Sequence, residues 1–257
     1  MNRIDRLFQE KPSNILSVYI TAGYPGLHDT VEVIRELAKN GVDMIEIGMP
    51  FSDPLADGPL LQACNKQALE NGMTMNFLFE QLGYIRETVD IPLLLMGYLN
   101  PVLNFGVEKF CKKAQYIGVD GVILPDLPAR EYTIHYRNYF RENNLHMVFL
   151  ISPQTAEERI REIDKLGRGF IYMVSSASTT GERSGFQPKQ VKYFERIHAM
   201  DLNLPQLIGF GISNREGYQQ ACQYASGAII GSAFMRSLMG EGAIPDKIKS
   251  FVNQIRS

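Results

Sequence analysis

The chain has 257 residues, more than most single-core domains, but within the range of the largest α/β domains that fold as one unit. Hydrophobic residues make up 45% of it and charged residues 21%, so it can bury a substantial core without disulfides or metal, and extended disorder is not expected. Its 26 basic and 28 acidic side chains form no long run of one sign, which argues against a nucleic-acid or membrane surface and favours a small-molecule partner.

The cysteines and the amino-terminal residues both indicate the cellular compartment of the protein. Cys64, Cys111 and Cys222 lie far apart without a Cys-x-x-Cys pair, which argues against a disulfide framework and a zinc ribbon. Charges of both signs occupy the first dozen residues, so no signal peptide is predicted, and no apolar stretch approaches the length of a membrane span. We therefore expect a cytoplasmic protein.

Short apolar runs recur along the chain and alternate with segments of helical spacing. Their near-continuous hydrophobicity, as in residues 93–96 and 147–151, predicts strands buried on both faces, which is typical of a parallel sheet. The eight predicted strands are residues 15–21, 43–48, 91–98, 119–125, 146–152, 169–175, 206–212 and 227–232.

Each segment between the runs has one apolar stripe at helical spacing. Thr155 with Glu158, and Ser213 with Glu216, are candidate capping boxes at two helix starts. A strand followed by a helix, eight times, predicts a single-domain (β/α)8 TIM barrel over residues 1–257. The alternative, an open doubly wound sheet, usually has fewer strands.

Glu46 is the unusual residue of the second predicted strand, where it lies between Ile45 and Ile47. An ionisable carboxyl is costly to bury unless it is paired, neutral or facing a site. An internal salt bridge across the barrel is one explanation. We favour a functional carboxylate, because the loop that follows is also unusual.

That loop, residues 48–59, contains three prolines that restrict its path and two aspartates among small residues. Asp57 is the better candidate for a second working carboxylate, in acid/base or electrostatic chemistry. Asp53, next to Pro54, can equally hold a turn through its own backbone. Glu46 and Asp57 are therefore the predicted catalytic pair.

Glycine-bearing loops follow the late strands, at residues 179–181, 209–213 and 231–233. Loops after strands seven and eight of such barrels often bind phosphate through backbone N–H groups at a helix start, so we predict a phosphate site there. Ser213 is equally suited to cap its helix with Glu216, and Gly231 to relieve crowding at the barrel rim. Asn214 stands where the third glycine of a dinucleotide fingerprint belongs, so no NAD site is predicted.

Histidine spacing and one strand tyrosine complete the candidates. The four histidines share no ligand spacing with one another or with cysteine, so we predict no metal site and place them on the surface or in packing. Tyr172, within the apolar run 170–174, packs by default, and lining a pocket is its alternative role.

With these residues assembled, the sequence resembles the tryptophan synthase alpha chain family over essentially its whole length. Residues 46–59, Glu-Ile-Gly-Met-Pro-Phe-Ser-Asp-Pro-Leu-Ala-Asp-Gly-Pro, look like the signature of that family. Further motifs follow in the order of the family: Gly97-Tyr-Leu-Asn-Pro101, Pro125-Asp126, Gly209-Phe-Gly-Ile-Ser213 and Gly231-Ser232.

The resemblance implies retro-aldol cleavage of indole-3-glycerol phosphate to indole and glyceraldehyde 3-phosphate. It implies no metal or cofactor in this chain, and pyridoxal phosphate only in a partner beta subunit. Glu46 would protonate indole C3 and take the proton of the adjacent glycerol hydroxyl, work that suits a carboxyl whose pKa is raised in a dry pocket. Asp57 would bind the indole N–H and stabilise the positive charge that builds on the ring.

The resemblance also distributes the substrate contacts. Tyr172 would line the pocket, while Tyr19, where the family often has phenylalanine, and Ile212 would enclose the indole ring. Loop 176–181 lacks the arginine common in the family after its first serine, which bears on how that loop closes. The phosphate would lie on backbone N–H groups and nearby hydroxyls of Gly181, Phe210, Gly211, Ser213, Gly231 and Ser232.

The implied partner is a tryptophan synthase beta subunit in an α2β2 heterotetramer. We predict that it docks on loops 51–59 and 98–105, whose apolar residues look exposed; they are Phe51, Leu55, Leu99, Pro101, Val102 and Phe105. Closure over the substrate is the alternative role of these residues. Other functions remain alternatives. One is a chiefly regulatory subunit, which Glu46 and Asp57 argue against; the other is a different enzyme, either a free-standing indole-releasing lyase or another phosphate-binding barrel with altered chemistry.

Overall fold

The protein is a closed barrel of parallel strands. A computed structural model describes residues 1–54, 57–175 and 185–257. Each strand pairs with the next in sequence, and β8 pairs with β1 to close the sheet, which confirms the predicted (β/α)8 barrel over the open sheet. The strands are β1 (Ile15–Thr21), β2 (Met44–Gly48), β3 (Leu93–Met96), β4 (Gly121–Ile123), β5 (His146–Ile151), β6 (Ile171–Val174), β7 (Gln206–Gly209) and β8 (Gly227–Ile230).

The helices between the strands do not follow the simple period of one helix per strand. β2, β3, β4 and β8 are each followed by more than one helix, and a 3-10 helix, Leu82–Glu87, continues α4 and is kinked at Tyr84. The helices are α1 (Arg3–Glu10), α2 (Thr30–Lys39), α3 (Pro59–Glu70), α4 (Met75–Gln81), α5 (Leu99–Phe105), α6 (Val107–Tyr116), α7 (Ala129–Glu131), α8 (Arg137–Glu142), α9 (Glu157–Leu166), α10 (Pro188–His198), α11 (Arg215–Ala221), α12 (Ser232–Ser237) and α13 (Ile244–Arg256), with a π-helical turn at Tyr132–Tyr136.

The apolar strands bury both of their faces, as their sequences predict. Every residue of β1 and β2 is buried, because alternate side chains point into the barrel or out toward the helices. The inward side chains form a core of their own, separate from the larger core between sheet and helices. It includes Ile15, Met44, Leu94, Ile123, Val148, Phe170, Leu207 and Ile229.

Several strands end earlier than predicted, because the backbone turns at their carboxyl ends. β7 stops at Gly209 since Phe210 and Gly211 adopt φ angles of 69° and 76°, a left-handed conformation that no strand can include. Likewise Gly231 is already the N-cap of α12, so β8 ends at Ile230. The residues beyond these ends belong to the loops, where barrels carry their sites.

The two predicted capping boxes are wrong in detail. Asn214, not Ser213, caps α11, and its side chain accepts a hydrogen bond from the Gly217 N–H at 2.9 Å. Helix α9 begins after Ala156, and the Thr155 hydroxyl instead accepts from the Ser152 N–H at 2.9 Å. In both cases the chain turns one residue later than the spacing indicates, so the serine and threonine side chains lie outside the first helical turn.

Helix α1 closes the amino-terminal end of the barrel. Its Ile4 is fully buried in the inner core. Asp120, just before β4, accepts from Arg86 at 2.5 Å and from Arg3 at 3.2 Å, and also from the Leu93 N–H at 2.9 Å. His146 at the start of β5 contacts Asp5 of α1 at 2.8 Å, in keeping with the packing role expected of histidine. Charged and apolar contacts thus close the end of the barrel opposite the loops with the candidate site.

Candidate active site

Glu46 lies on the inward face of β2, beside Ser17 and Tyr19 of β1. It is fully buried, and the Ser17 hydroxyl donates to Oε1 at 3.1 Å, while Oε2 has no hydrogen-bond partner in the described parts of the chain. Burial raises its pKa to about 8, against the opposing effect of the Ser17 hydrogen bond. No salt bridge to Glu46 is found within residues 1–54, 57–175 and 185–257. A salt bridge across the barrel therefore does not explain this buried carboxyl in the described residues.

Asp57 lies in the loop before α3. Its N–H donates to the Pro54 carbonyl at 3.1 Å, and its Oδ2 accepts from the Asn65 amide at 3.1 Å. Burial raises its pKa to about 6, and the Asn65 hydrogen bond opposes that rise. Asp53, in contrast, is exposed and pairs with the neighbouring Ser52 hydroxyl. The two aspartates of the loop therefore differ in position, with Asp57 at the cleft and Asp53 on the surface.

A cleft of about 440 Å³, counted with its open mouth, lies at the carboxyl end of the strands. Three of its lining residues are predicted site residues: Tyr19, Asp57 and Phe210. Glu46 lies deeper in the barrel and does not line the cleft in this conformation. The other lining residues are not among the predicted catalytic and substrate-binding residues; they are Met49, Asn65, Met96, Gly97, Tyr98, Pro125 and Leu150.

Sequence motifs point to some of these lining residues and not to others. Gly97, Tyr98 and Pro125 stand inside the motifs that carry the family resemblance and lie within two residues of a strand end. Met96 and Leu150 are apolar strand residues, whose sequence context does not separate cleft from core. Asn65 is a polar residue on the buried side of a helix, and that mismatch is a usable signal.

Two strand glycines make room for aromatic rings in the barrel mouth. A Cβ atom at Gly48 would collide with the phenol of Tyr19, and one at Gly209 with that of Tyr172. Phe210 packs edge-on against Tyr172, with ring centroids 6.0 Å apart. Tyr172 is buried in the inner core, and its pKa is raised by burial and by the negative charge of Glu46.

The late loops place the remaining predicted residues at the ends of β7 and β8. The Ser175 hydroxyl donates to the Phe210 carbonyl at 2.5 Å, holding the left-handed turn. Gly231 lies beside Tyr19, because a Cβ atom there would be 3.4 Å from that of the tyrosine. Ser213 is half-buried, Ser232 is exposed, and Gly181 lies outside the described residues.

Ile212 does not reach the cleft. Its side chain is buried in the outer core, and a Cβ atom at Gly217 of α11 would lie 3.6 Å from its Cγ2. Since β7 ends at Gly209, the inward-outward alternation of the strand does not extend to this residue. The structure therefore brings Tyr19 and Phe210 to the cleft but turns Ile212 toward the helix.

The two loops predicted to dock a partner contact each other. The rings of Phe51 and Tyr98 are 5.3 Å apart, and the Asp126 carboxylate accepts from the Leu99 N–H at 2.9 Å. Residues 99–105 form helix α5 rather than a loop.

The exposure predicted for these apolar residues is wrong at Val102, which is fully buried because α5 turns it toward the core. Its neighbour Leu103 is 44% exposed. Phe51, Leu99, Pro101 and Phe105 are half-buried, and Leu55 lies outside the described residues.

The family model described as tryptophan synthase alpha chain matches residues 6–254. The chain belongs to the tryptophan synthase alpha chain family. Its relatives include the tryptophan synthase alpha chain of Flavobacterium psychrophilum, 58% identical over 99% of this chain and all of the relative, and that of Flavobacterium johnsoniae, 58% identical over the whole of both chains.

Solved structures agree with this assignment. Tryptophan synthase subunit alpha of Legionella pneumophila superposes with a TM-score of 0.89 at 31% identity, covering 100% of this chain and 97% of the other. A chain of tryptophan synthase from Mycobacterium tuberculosis superposes with a TM-score of 0.86 at 27% identity, covering 99% and 98%.

As a tryptophan synthase alpha chain, this chain is the indole-3-glycerol phosphate lyase subunit, an enzyme of tryptophan biosynthesis. Alpha chains of tryptophan synthase work with a beta subunit, in which the pyridoxal-phosphate-dependent activity lies. In the part of the chain that the structure describes, no helix is both long and apolar enough to cross a membrane.

Proposed function

We propose that Glu46 and Asp57 carry out the retro-aldol cleavage of indole-3-glycerol phosphate to indole and glyceraldehyde 3-phosphate. The supporting observation is the pair itself, two carboxyls with raised pKa values, Asp57 at the cleft and Glu46 deeper in the same barrel, in a chain whose family performs this reaction. Neither step of the cleavage requires a metal or an organic cofactor in this chain, because the proton transfers need only a carboxyl of suitable pKa.

Glu46 acts first as the acid and then as the base. With a pKa near 8 it is mostly protonated at neutral pH and can give its proton to indole C3. The carboxylate so formed takes the proton of the glycerol hydroxyl next to the ring. The bond between indole C3 and the glycerol carbon then breaks, its electrons return to the ring, and the carbon becomes an aldehyde. Glu46 ends in its starting form, ready for another cycle.

The buried position of Glu46 sets a requirement on this cycle. Its carboxyl lies deeper than the lining of the cleft, so the side chain must turn toward the substrate before it can transfer a proton. Its single described hydrogen bond, from Ser17, and its unpaired Oε2 leave it weakly held in the buried position.

Asp57 supports the same reaction from the side of the cleft. Its carboxylate is placed to accept the indole N–H and to stabilise the positive charge that protonation at C3 puts on the ring. Tyr19 and Phe210 flank the ring position, with Tyr172 behind Phe210. Ile212 acts from behind, by fixing the loop against α11.

The phosphate group lies on the late loops in this proposal. Backbone N–H groups of Phe210, Gly211, Gly231 and Ser232 are the donors, with the hydroxyls of Ser213 and Ser232 and the N–H of Gly181. Because Asn214 caps α11, the hydroxyl of Ser213 is not engaged as its helix cap, which supports the phosphate role over the capping role.

The family supports a proposal for the partner and the compartment of this chain. We propose that the chain assembles with beta subunits as an α2β2 heterotetramer in the cytoplasm, and that indole passes directly to the pyridoxal phosphate site of the beta subunit. The alpha chain itself carries no cofactor in this proposal.

Indole release from indole-3-glycerol phosphate tests the assignment. Glu46→Gln keeps the shape of the side chain and removes proton transfer, so we expect turnover to fall by about 100-fold or more while the fold persists. Glu80→Gln, an exposed glutamate on α4, is the matched control and should leave turnover unchanged. Near-normal turnover in a folded Glu46→Gln protein would exclude Glu46 as the acid/base.

The same assay with added beta subunit separates the alternatives. Slow basal turnover that rises on assembly supports the synthase subunit, and fast turnover of the isolated chain supports a free-standing lyase. A chain that activates the beta subunit but releases no indole of its own would be a regulatory subunit.

A further inference from the structure

Asn65 is a polar residue in a position that its helix would normally give to an apolar one. It lies in the middle of α3 (Pro59–Glu70), on the buried side with Cys64 and Ala68, and is only 3% exposed. Asparagine has a low helix propensity and is mostly found on surfaces, at caps and in turns. The stability of helix α3 therefore does not explain an asparagine at this position.

The hydrogen bonds of Asn65 point to the cleft. Its amide nitrogen donates to Asp57 Oδ2 at 3.1 Å, across eight residues of sequence. Its own Oδ1 is buried without a partner among the described residues. A buried oxygen without a hydrogen bond costs free energy, so the side chain is not placed there to maximise stability. Asn65 also lines the cleft with Asp57.

Among the described groups around Asp57, the Asn65 amide is the one that favours its charged carboxylate. Among the described lining residues of the cleft, the phenols of Tyr19 from β1 and Tyr98 before α5 stand with Asp57, and no lysine, arginine or histidine does. The negative charge of Asp57 also raises the pKa of Tyr172 on β6. Burial raises the pKa of Asp57 to about 6, and the Asn65 hydrogen bond opposes that rise.

We propose that Asn65 is a positioning residue for Asp57: its amide holds one carboxylate oxygen and leaves the other directed at the indole N–H of the substrate. This inference rests on the proposed role of Asp57. A hydrogen bond to the charged form also keeps the carboxyl ionised at lower pH, so Asn65 determines both the orientation and the charge of the group.

The pH dependence of kcat/KM distinguishes this role from a structural one. Asn65→Leu removes the donor at similar volume, so the acid limb of the profile should move up by about one pH unit while the alkaline limb stays in place. The loss should then be about tenfold larger below pH 6 than near pH 8, where only the lost orientation of the carboxylate remains. Asn65→Asp, which puts a second carboxyl beside Asp57, should move the limb at least as far and carries the test should the leucine variant not fold.

Asn143→Leu is the matched control. Asn143 is also a buried asparagine whose amide makes one hydrogen bond, to the Tyr139 carbonyl at 2.7 Å. It lies at the carboxyl end of α8, away from the cleft. This variant should be destabilised without any movement of either limb.

A double variant completes the experiment. In an Asp57→Asn background, Asn65→Leu should change kcat/KM by less than about twofold, because its target carboxylate is gone. A uniform loss at every pH, unmoved limbs, or a full further loss in the double variant would each overturn the inference while leaving the role of Asp57 intact. Near-normal activity of Asp57→Asn alone would instead overturn the role of Asp57, and the inference with it.

Discussion

At the scale of single residues, one physical cause shifts both carboxyls of the site by different amounts. Burial raises the pKa of Glu46 to about 8 and that of Asp57 to about 6. Glu46 is fully enclosed by the barrel, whereas Asp57 lies at the cleft and accepts a hydrogen bond from an amide. The same chemical group can thus supply an acid at one position and an anion at the other.

A bell-shaped pH profile is the expected consequence. Asp57 must be ionised to hold the indole N–H, so kcat/KM should fall as pH drops through about 6. Glu46 must be protonated to begin the cycle, so kcat/KM should fall as pH rises through about 8. Indole release measured between pH 5 and pH 10 on the isolated chain tests this, and Asp57→Asn should remove the acid limb. A profile that is flat from pH 5 to pH 9 would contradict the assignments of both carboxyls.

The sequence predicted those site residues whose type conflicts with their surroundings. A glutamate between isoleucines and an aspartate in a proline-rich loop can be recognised without coordinates. Ile212 could not be placed, because its direction depends on the left-handed turn at Phe210, which ends the alternation of β7. Asn65 could have been found by the same conflict of type and position as Glu46, but its target comes from the preceding loop, and only the fold shows that contact.

At the scale of elements, the loop after β2 and helix α5 form one connected surface. Phe51 contacts Tyr98, and Asp126 from the loop after β4 holds the amino end of α5 through the Leu99 N–H. Displacing one of these segments therefore affects the next, and Asp57 stands in the first of them. Binding of a partner at this surface can in this way be linked to the order of a catalytic residue.

Charge on this surface should weaken assembly with the beta subunit. We expect Leu99→Asp or Pro101→Asp to lower the affinity for the beta subunit by about tenfold and to abolish beta-dependent activation, because a charge must lose its water in an apolar interface. Basal indole release should change much less. Sedimentation of the mixture, paired with the indole assay, measures both effects.

Tyr116→Asp provides the control for this experiment. Tyr116 is 86% exposed at the carboxyl end of α6, on the opposite side of the barrel from the cleft. It should leave assembly and activation unchanged. Unchanged assembly in the Leu99 and Pro101 variants would remove this surface from the interface.

The elements themselves were predictable to different degrees. Strands buried on both faces give continuous apolar runs, so their number and order follow from the sequence. The helices between them do not, because an apolar stripe such as Leu78, Leu82, Ile85 and Val89 continues through the kink at Tyr84. Likewise, residues 99–105 look like a loop in sequence, and only as a helix do Val102 and Leu103 face opposite environments.

At the scale of the whole molecule, the two ends of the barrel have different tasks. The carboxyl ends of the strands carry the cleft, while the amino ends are closed by α1 and the contacts of Asp120 with Arg3 and Arg86. Residues at the closed end are far from the chemistry, so substitutions there should affect stability alone.

Asp120→Ala tests this division. Loss of the carboxylate leaves Arg86 partly buried without its partner and the Leu93 N–H without its acceptor, so we expect a loss of about 3 kcal/mol or more in the free energy of unfolding. The value of kcat/KM at 25 °C should stay within about twofold of the original. Urea unfolding measures the stability, and the predicted single domain over residues 1–257 requires one cooperative transition.

Asp90→Ala is the control at the same end of the barrel. Asp90 pairs with Arg3 and Arg6, but it is 77% exposed, so its loss should cost less than about 1 kcal/mol. Equal costs for the two variants would show that the pairs of Asp120 are no more important than an ordinary surface contact.

The aromatic lining of the cleft also gives the protein a native optical signal. The chain contains no tryptophan, so its ultraviolet emission comes from tyrosine, and Tyr19 and Tyr98 lie at the cleft. Tyrosine emission overlaps the absorption of indole, so an indole ring held between these side chains would accept their excitation and emit at longer wavelength. In the isolated alpha chain, binding of the substrate and release of indole would thus each change the emission spectrum, so both can be followed without a dye or an engineered residue.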